Sequence, residues 1–70
     1  MADLQISLAA ARVNAGMTQD DVAKELHVTK QTLVDWEKGK SEPRISQARE
    51  LSRILAMPLD HIIFLSNKSN

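Results

Sequence analysis

The sequence predicts an all-α fold, a compact domain of five short helices. Three observations predict it. Between the punctuating residues Gly16, Gly39, Pro43 and Pro58 the apolar residues recur at helical spacing. β-branched residues are scattered, and no stretch alternates long enough to make a strand. Good capping residues stand before two of the periodic runs, Thr18 and Thr29.

Helix one is expected from about Gln5 to Ala15. Leu4, Leu8 and Ala11 form its apolar stripe, with Val13 beside its end, and Gly16 supplies the left-handed backbone that closes it. Thr18 caps helix two, and Thr18-x-x-Asp21 has the form of a capping box. Asp20 and Asp21 suit the positive end of that helix. Val22, Ala23 and Leu26 form its buried edge, and His27-Val28 makes the turn. Thr29 caps helix three, Lys30 to Lys38, which ends at Gly39. After the loop Lys40-Ser-Glu-Pro43, helix four runs roughly from Ile45 to Leu55, with Ile45, Ala48, Leu51, Ile54 and Leu55 inward. Pro58 suits the first turn of a fifth helix reaching about Leu65. Residues 66–70 are polar and expected to fray.

Seventy residues make one domain, 1–70, whose small core calls for efficient packing or a partner subunit. There are no cysteines, which excludes disulfides and thiolate metal sites and fits a reducing cytoplasm. No basic segment leads into a long apolar stretch, so neither a signal peptide nor a membrane span is expected. The two histidines, His27 and His61, are not at ligand spacing, and no nucleophile–base pair, phosphate loop or metalloprotease motif is present. Neither catalysis nor a metal or other cofactor is expected.

Helix three carries the chemistry. Leu33, Trp36 and Glu37 share one side of its wheel; Lys30, Gln31, Val34, Asp35 and Lys38 share the other. Long polar side chains on one rigid face can enter the major groove of DNA. There Lys30 can donate to guanine, Gln31 can pair with an adenine edge, Val34 can pack on a thymine methyl and Asp35 can accept from a cytosine amine. The plainer reading is an amphipathic helix with a wet polar face. The formal net charge of zero counts against a nucleic-acid partner. Placement answers in part: Lys30, Lys38, Lys40 and Arg44 lie in or just after helix three, while Asp3, Asp20, Asp21, Glu25, Glu50 and Asp60 lie elsewhere.

The segment TQDDVAKELHVTKQTLVDWEKGKSEP closely resembles the helix-turn-helix of the phage repressor and Cro-like proteins, the Xre family. The resemblance runs from about Ile6 to Leu65. It rests on Arg12, Thr18-Gln19, Ala23, Trp36-Glu37-x-Gly39 and Pro43 in combination. It implies a lambda-repressor-like domain whose helix-turn-helix spans about 18–39. It further implies that Gln19 sits at the DNA backbone and braces the start of the recognition helix. Lys30, Gln31, Val34 and Asp35 would face bases; Thr29, Lys38, Lys40, Ser41 and Arg44 would touch phosphates. Solubility alone is the plainer account of Lys38 and Lys40. Asp35, a carboxylate near phosphates, could also serve by rejecting wrong sequences.

In this family an arginine of helix one commonly pairs with the glutamate closing helix three, here Arg12 and Glu37. Glu37 stands on the apolar side of the wheel, where a lone carboxylate is costly. Three positions depart from the family pattern. His27 and Ala56 stand where glycine is usual, and Pro58 replaces a small polar cap. Ala56 would cost ~1–2 kcal/mol if the left-handed backbone is kept.

Ile62-Ile63-Phe64-Leu65 cannot all face one core from a helix, because successive residues lie about 100° apart. Some are therefore expected to stay exposed on one copy. Proteins of this family often dimerise through helix five and nearby surfaces, so the resemblance implies Ile63, Phe64 and Leu65 as candidate dimer contacts within a segment of about 58–66; the plainer reading is that a C-terminal extension folds back over them. The expected function is a small cytoplasmic DNA-binding regulator, a repressor of phage, prophage or chromosomal type that binds an inverted repeat of double-stranded DNA as a homodimer. The alternatives are an antitoxin-like module that grips a protein partner, with DNA binding secondary, and a structural domain clipped from a larger regulator.

Overall fold

The computed structural model describes residues 6–63. In order, these form β1 (Ile6–Ser7), α1 (Leu8–Asn14), α2 (Gln19–Leu26), α3 (Lys30–Lys38), α4 (Ile45–Leu55), a single 3-10 turn (Leu59–His61) and β2 (Ile62–Ile63). The two strands pair in parallel, Ile6 opposite Ile62 and Ser7 opposite Ile63. α2 packs chiefly on α3 and α4, and α1 on α3.

Capping explains where the helices begin. The Ser7 hydroxyl accepts from the Ala10 N–H at 3.1 Å, so α1 starts at Leu8 rather than Gln5. Thr18 and Asp21 form the reciprocal box at 2.9 and 3.0 Å. The bond from the Thr18 backbone N–H to the Asp21 carboxylate favours its ionised form and is the chief cause that holds Asp21 below its ordinary value, with the Thr18 side chain second. Thr29 accepts from the Thr32 N–H at 3.1 Å. Arg44, at the head of α4, has no side-chain acceptor to offer; its own N–H donates to Gln47 Oε1 at 2.8 Å.

All four helices end in the same way. A left-handed residue closes each: Gly16 (φ 74°), His27 (φ 59°), Gly39 (φ 79°) and Ala56 (φ 53°). The next amide then reaches back five residues: Met17 to Arg12 O, Val28 to Ala23 O, Lys40 to Asp35 O and Met57 to Ser52 O, at 2.8–3.2 Å. This closure satisfies carbonyls that the helix end would leave bare. His27 and Ala56 adopt the backbone that glycine takes more easily.

One continuous core holds the helices together. Leu8, Ala11, Val22, Leu33, Trp36, Leu51, Leu55 and Ile62 are buried in one cluster, with Ile6, Met17, Leu26, Val28, Ile54 and Met57 packed against it. Ala23 is also buried. Ile45, expected inward, is 69% exposed. It is the first residue of α4 and, at 3.6 residues per turn, lies roughly 80–120° round the helix from the Leu51–Leu55 stripe. Val13 is likewise exposed.

The expected fifth helix is not formed between Pro58 and Ile63. Its place is taken by the 3-10 turn and β2, and the expectation that no strand occurs is overturned with it. Two physical reasons apply. Ile62 and Ile63 are β-branched and favour extended backbone. An extended chain also sends alternate residues to opposite sides, so Ile62 enters the core at 6% exposure while its backbone groups pair with β1. Phe64 and Leu65 lie outside the described residues. A helical surface presenting Ile63, Phe64 and Leu65 as dimer contacts therefore loses its support at Ile63, which is extended.

Candidate nucleic-acid interface

The site is built on α3 and the loop after it. α3 is anchored by Leu33 and Trp36, 0% and 4% exposed, on the face turned to α1, α2 and the core. Burying two large apolar side chains fixes the rotation of a nine-residue helix. Lys30 and Gln31 are consequently exposed at its start, Val34 and Asp35 are half-buried one turn on, and Lys38 is exposed at its end. Lys40, Ser41 and Arg44 are exposed in and after the loop that Gly39 turns.

The far end of α3 is tied down by polar contacts. Arg12 Nε donates to Glu37 Oε2 at 2.6 Å, and Arg12 Nη2 reaches Glu37 Oε1 at 3.4 Å. Arg12 Nη1 donates to the Met17 carbonyl at 3.0 Å. Gln19 Nε2 donates to Glu37 Oε1 at 2.9 Å. One carboxylate thus gathers α1, the first residue of α2 and the last turn of α3, and the guanidinium adds the chain just before α2. The fork-on-carboxylate geometry uses the planar donor set of arginine, which a lysine lacks.

Gln19 therefore engages the closing turn of α3, not its start. In this DNA-free structure the amide of Gln19, expected at the start of the recognition helix, donates to Glu37. The start of α3 is ordered instead by Thr29, whose hydroxyl accepts from the Thr32 amide and lies 2.9 Å from the Thr32 hydroxyl. Thr32 was not singled out in the sequence; its signal was the Thr29-x-x-Thr32 spacing, a hydroxyl three residues after a cap. On the exposed face, Gln31 Nε2 donates to Asp35 Oδ1 at 2.9 Å.

Charge is unevenly spread over this surface. The exposed cations Lys30, Lys38, Lys40 and Arg44 lie along α3 and its exit loop, where the exposed Glu42 and the half-buried Asp35 offset part of their charge. Asp20 and Asp21 are exposed at the head of α2 and offset the positive end of that helix. Glu50 and Arg53 pair on the exposed side of α4. Among the described residues no three His, Cys, Asp or Glu gather to hold a metal ion, and no helix is long and apolar enough to cross a membrane.

Two short helices, α2 and α3, joined by the left-handed turn at His27 and presenting a rigid polar face, are the arrangement that the helix-turn-helix family pattern matches, over residues 8–62. The chain belongs to that family, in its phage-repressor-like, Xre branch. It is similar to an uncharacterized HTH-type transcriptional regulator of Methanocaldococcus jannaschii, 35% identical over 46 residues covering 66% of this chain and 70% of that protein. It is also similar to regulators described in the same words from Archaeoglobus fulgidus, 30% identical with 81% of each chain covered. A third, from Methanothermobacter thermautotrophicus, is 33% identical with 77% and 78% covered. No solved structure matches the chain. This helix-turn-helix chain falls in a class of DNA-binding regulators that typically carry out no chemistry.

Proposed function

We propose that this protein is a sequence-specific DNA-binding repressor that binds an inverted repeat as a homodimer. The observation that carries the reading is the fixed presentation of α3: Leu33 and Trp36 buried behind it, Glu37 tied to Arg12 and Gln19 at its end, and Lys30 and Gln31 exposed at its start. A helix held so firmly and bare on one polar face suits the major groove. Lys30, Gln31, Val34 and Asp35 form the base-facing surface. Thr29, Lys38, Lys40, Ser41 and Arg44 face phosphates, joined by whatever donor capacity Gln19 keeps after its bond to Glu37.

The neutral overall charge supports dimerisation indirectly. One copy offers few cations to phosphates, so non-specific affinity is weak, and two copies double the contacts. A two-fold dimer would set its recognition helices in successive major grooves ~34 Å apart. Ile63, Phe64 and Leu65 remain the proposed contacts; Ile63 lies in the extended β2.

Selection of random duplex DNA on the purified protein at low salt tests this reading. Enrichment of an inverted repeat with half-sites one helical turn apart is the expected result. Folded protein that enriches no sequence would overturn it and favour a protein-binding role of antitoxin type. A single unrepeated motif would overturn the dimer alone.

A further inference from the structure

The pairing of Gln31 with Asp35 on the open face of α3 has a consequence for which base is read. Asp35 is an acceptor when ionised and has no hydrogen to give. The amide of Gln31 must therefore turn its nitrogen toward Asp35, where Nε2 donates to Oδ1 at 2.9 Å. A glutamine amide has two N–H donors and one carbonyl acceptor. With one donor spent on Asp35, Gln31 presents one N–H and one C=O outward.

That pattern fits one purine. The major-groove edge of adenine offers an acceptor, N7, and a donor, the N6 amine; guanine offers two acceptors, N7 and O6. A free glutamine can turn both N–H groups to guanine. A glutamine whose second N–H is held by a carboxylate cannot, and its carbonyl would face O6 with no hydrogen between them. Asp35 is half-buried and Gln31 exposed, so the carboxylate is the more fixed partner of the two.

We propose that Asp35 is a positioning residue that makes Gln31 select adenine over guanine, acting through the Gln31 amide instead of on a base of its own. This rests on the reading of α3 as the base-contacting helix. A helix-stabilising pair with no bearing on recognition would leave base choice untouched, which is what the experiment separates.

The test is duplex selection with the full chain, comparing wild type, Gln31→Ala, Asp35→Ala and Asp35→Asn, each shown to be helical by circular dichroism. Gln31→Ala locates the base pair that Gln31 reads, and wild type should show adenine there. In Asp35→Ala the adenine-to-guanine ratio at that same position should fall roughly fivefold or more, leaving a purine preference. Asp35→Asn is close in shape and keeps a carbonyl that can accept from Gln31, so its ratio should lie between the two. An unchanged ratio in Asp35→Ala overturns the proposal while leaving DNA reading intact. So does a change at a different base pair, or a wild-type site with no adenine at the Gln31 position. Wild-type protein that enriches no sequence removes the base-reading helix itself, and the proposal with it.

Discussion

Arg12 and Glu37 stand 25 residues apart and meet at 2.6 Å, with side chains only 15% and 7% exposed. The contact joins α1 to the last turn of α3, and Gln19 adds a second donor to the same carboxylate. The orientation of α3 thus depends on a polar clamp at its far end as much as on Leu33 and Trp36 beneath it. Nothing in the clamp needs to touch a base for the helix to be correctly aimed.

Arg12→Ala leaves the Glu37 carboxylate buried with one remaining side-chain donor, Gln19. The expected cost is roughly 3 kcal/mol of stability, measured by urea unfolding, with the preferred DNA sequence unchanged. Arg12→Lys should recover only part of the loss, since an ammonium cannot reproduce the two-point contact and the bond to the Met17 carbonyl together. An Arg12→Ala protein as stable as the parent would contradict the clamp.

Ala56 holds a left-handed backbone at φ 53° and ψ 44° while closing α4. Ala56→Gly removes the clash of Cβ with the following carbonyl and should raise stability by about 1 kcal/mol. His27→Gly at the α2 closure should gain less, because histidine tolerates that region better than alanine. A loss of stability in Ala56→Gly, seen in the same urea titration, would mean that the Cβ contributes packing that outweighs the strain.

Asp21 gives a pH dependence with a definite sign. Its folded-state pKa is lowered by the hydrogen bond from the Thr18 backbone N–H first and by the Thr18 side chain second. A lowered carboxylate contributes stability above its unfolded value of about 3.9, and the contribution is lost as pH falls through the folded value. Asp21→Asn should therefore be less stable than the parent at neutral pH, and the difference should shrink as the pH is taken below about 4. Thermal unfolding of both proteins across pH 2–7 checks this, and a difference that persists undiminished to the acid end would contradict it.

Much of this architecture was readable in the residues themselves. Thr18 with Asp21, Thr29, Gly16 and Gly39 announce four helix boundaries through local hydrogen-bonding chemistry, which needs no tertiary information. That Glu37 requires a partner follows from its place beside Leu33 and Trp36. The choice of Gln19 for Glu37 was not readable, because it depends on how α2 crosses α3, and spacing along one helix says nothing of a neighbour's approach. The 3-10 turn and strand that follow Pro58 are hidden for a different reason. Four successive apolar residues cannot share one helical face, and at Ile62–Ile63 the chain is extended instead. Its partner strand, Ile6–Ser7, lies more than fifty residues earlier, beyond the reach of any local pattern. Ile45 shows the limit of a stripe drawn by spacing alone: one residue off the seam, at a helix start, stays in solvent.

If α3 reads bases while the residues after it hold phosphates, substitutions in the two places should fail in different ways. The direct measurement compares Gln31→Ala with Lys40→Ala, using duplex selection for sequence preference and a salt titration of binding for charge. Gln31→Ala should relax preference at one base pair per half-site and keep the salt dependence. Lys40→Ala should weaken binding to all sequences alike and reduce the magnitude of the salt slope by about one for each copy bound. If Gln31→Ala leaves every position of the preferred sequence intact, or if both variants bind as the parent does, α3 is not the reading element and the account is contradicted.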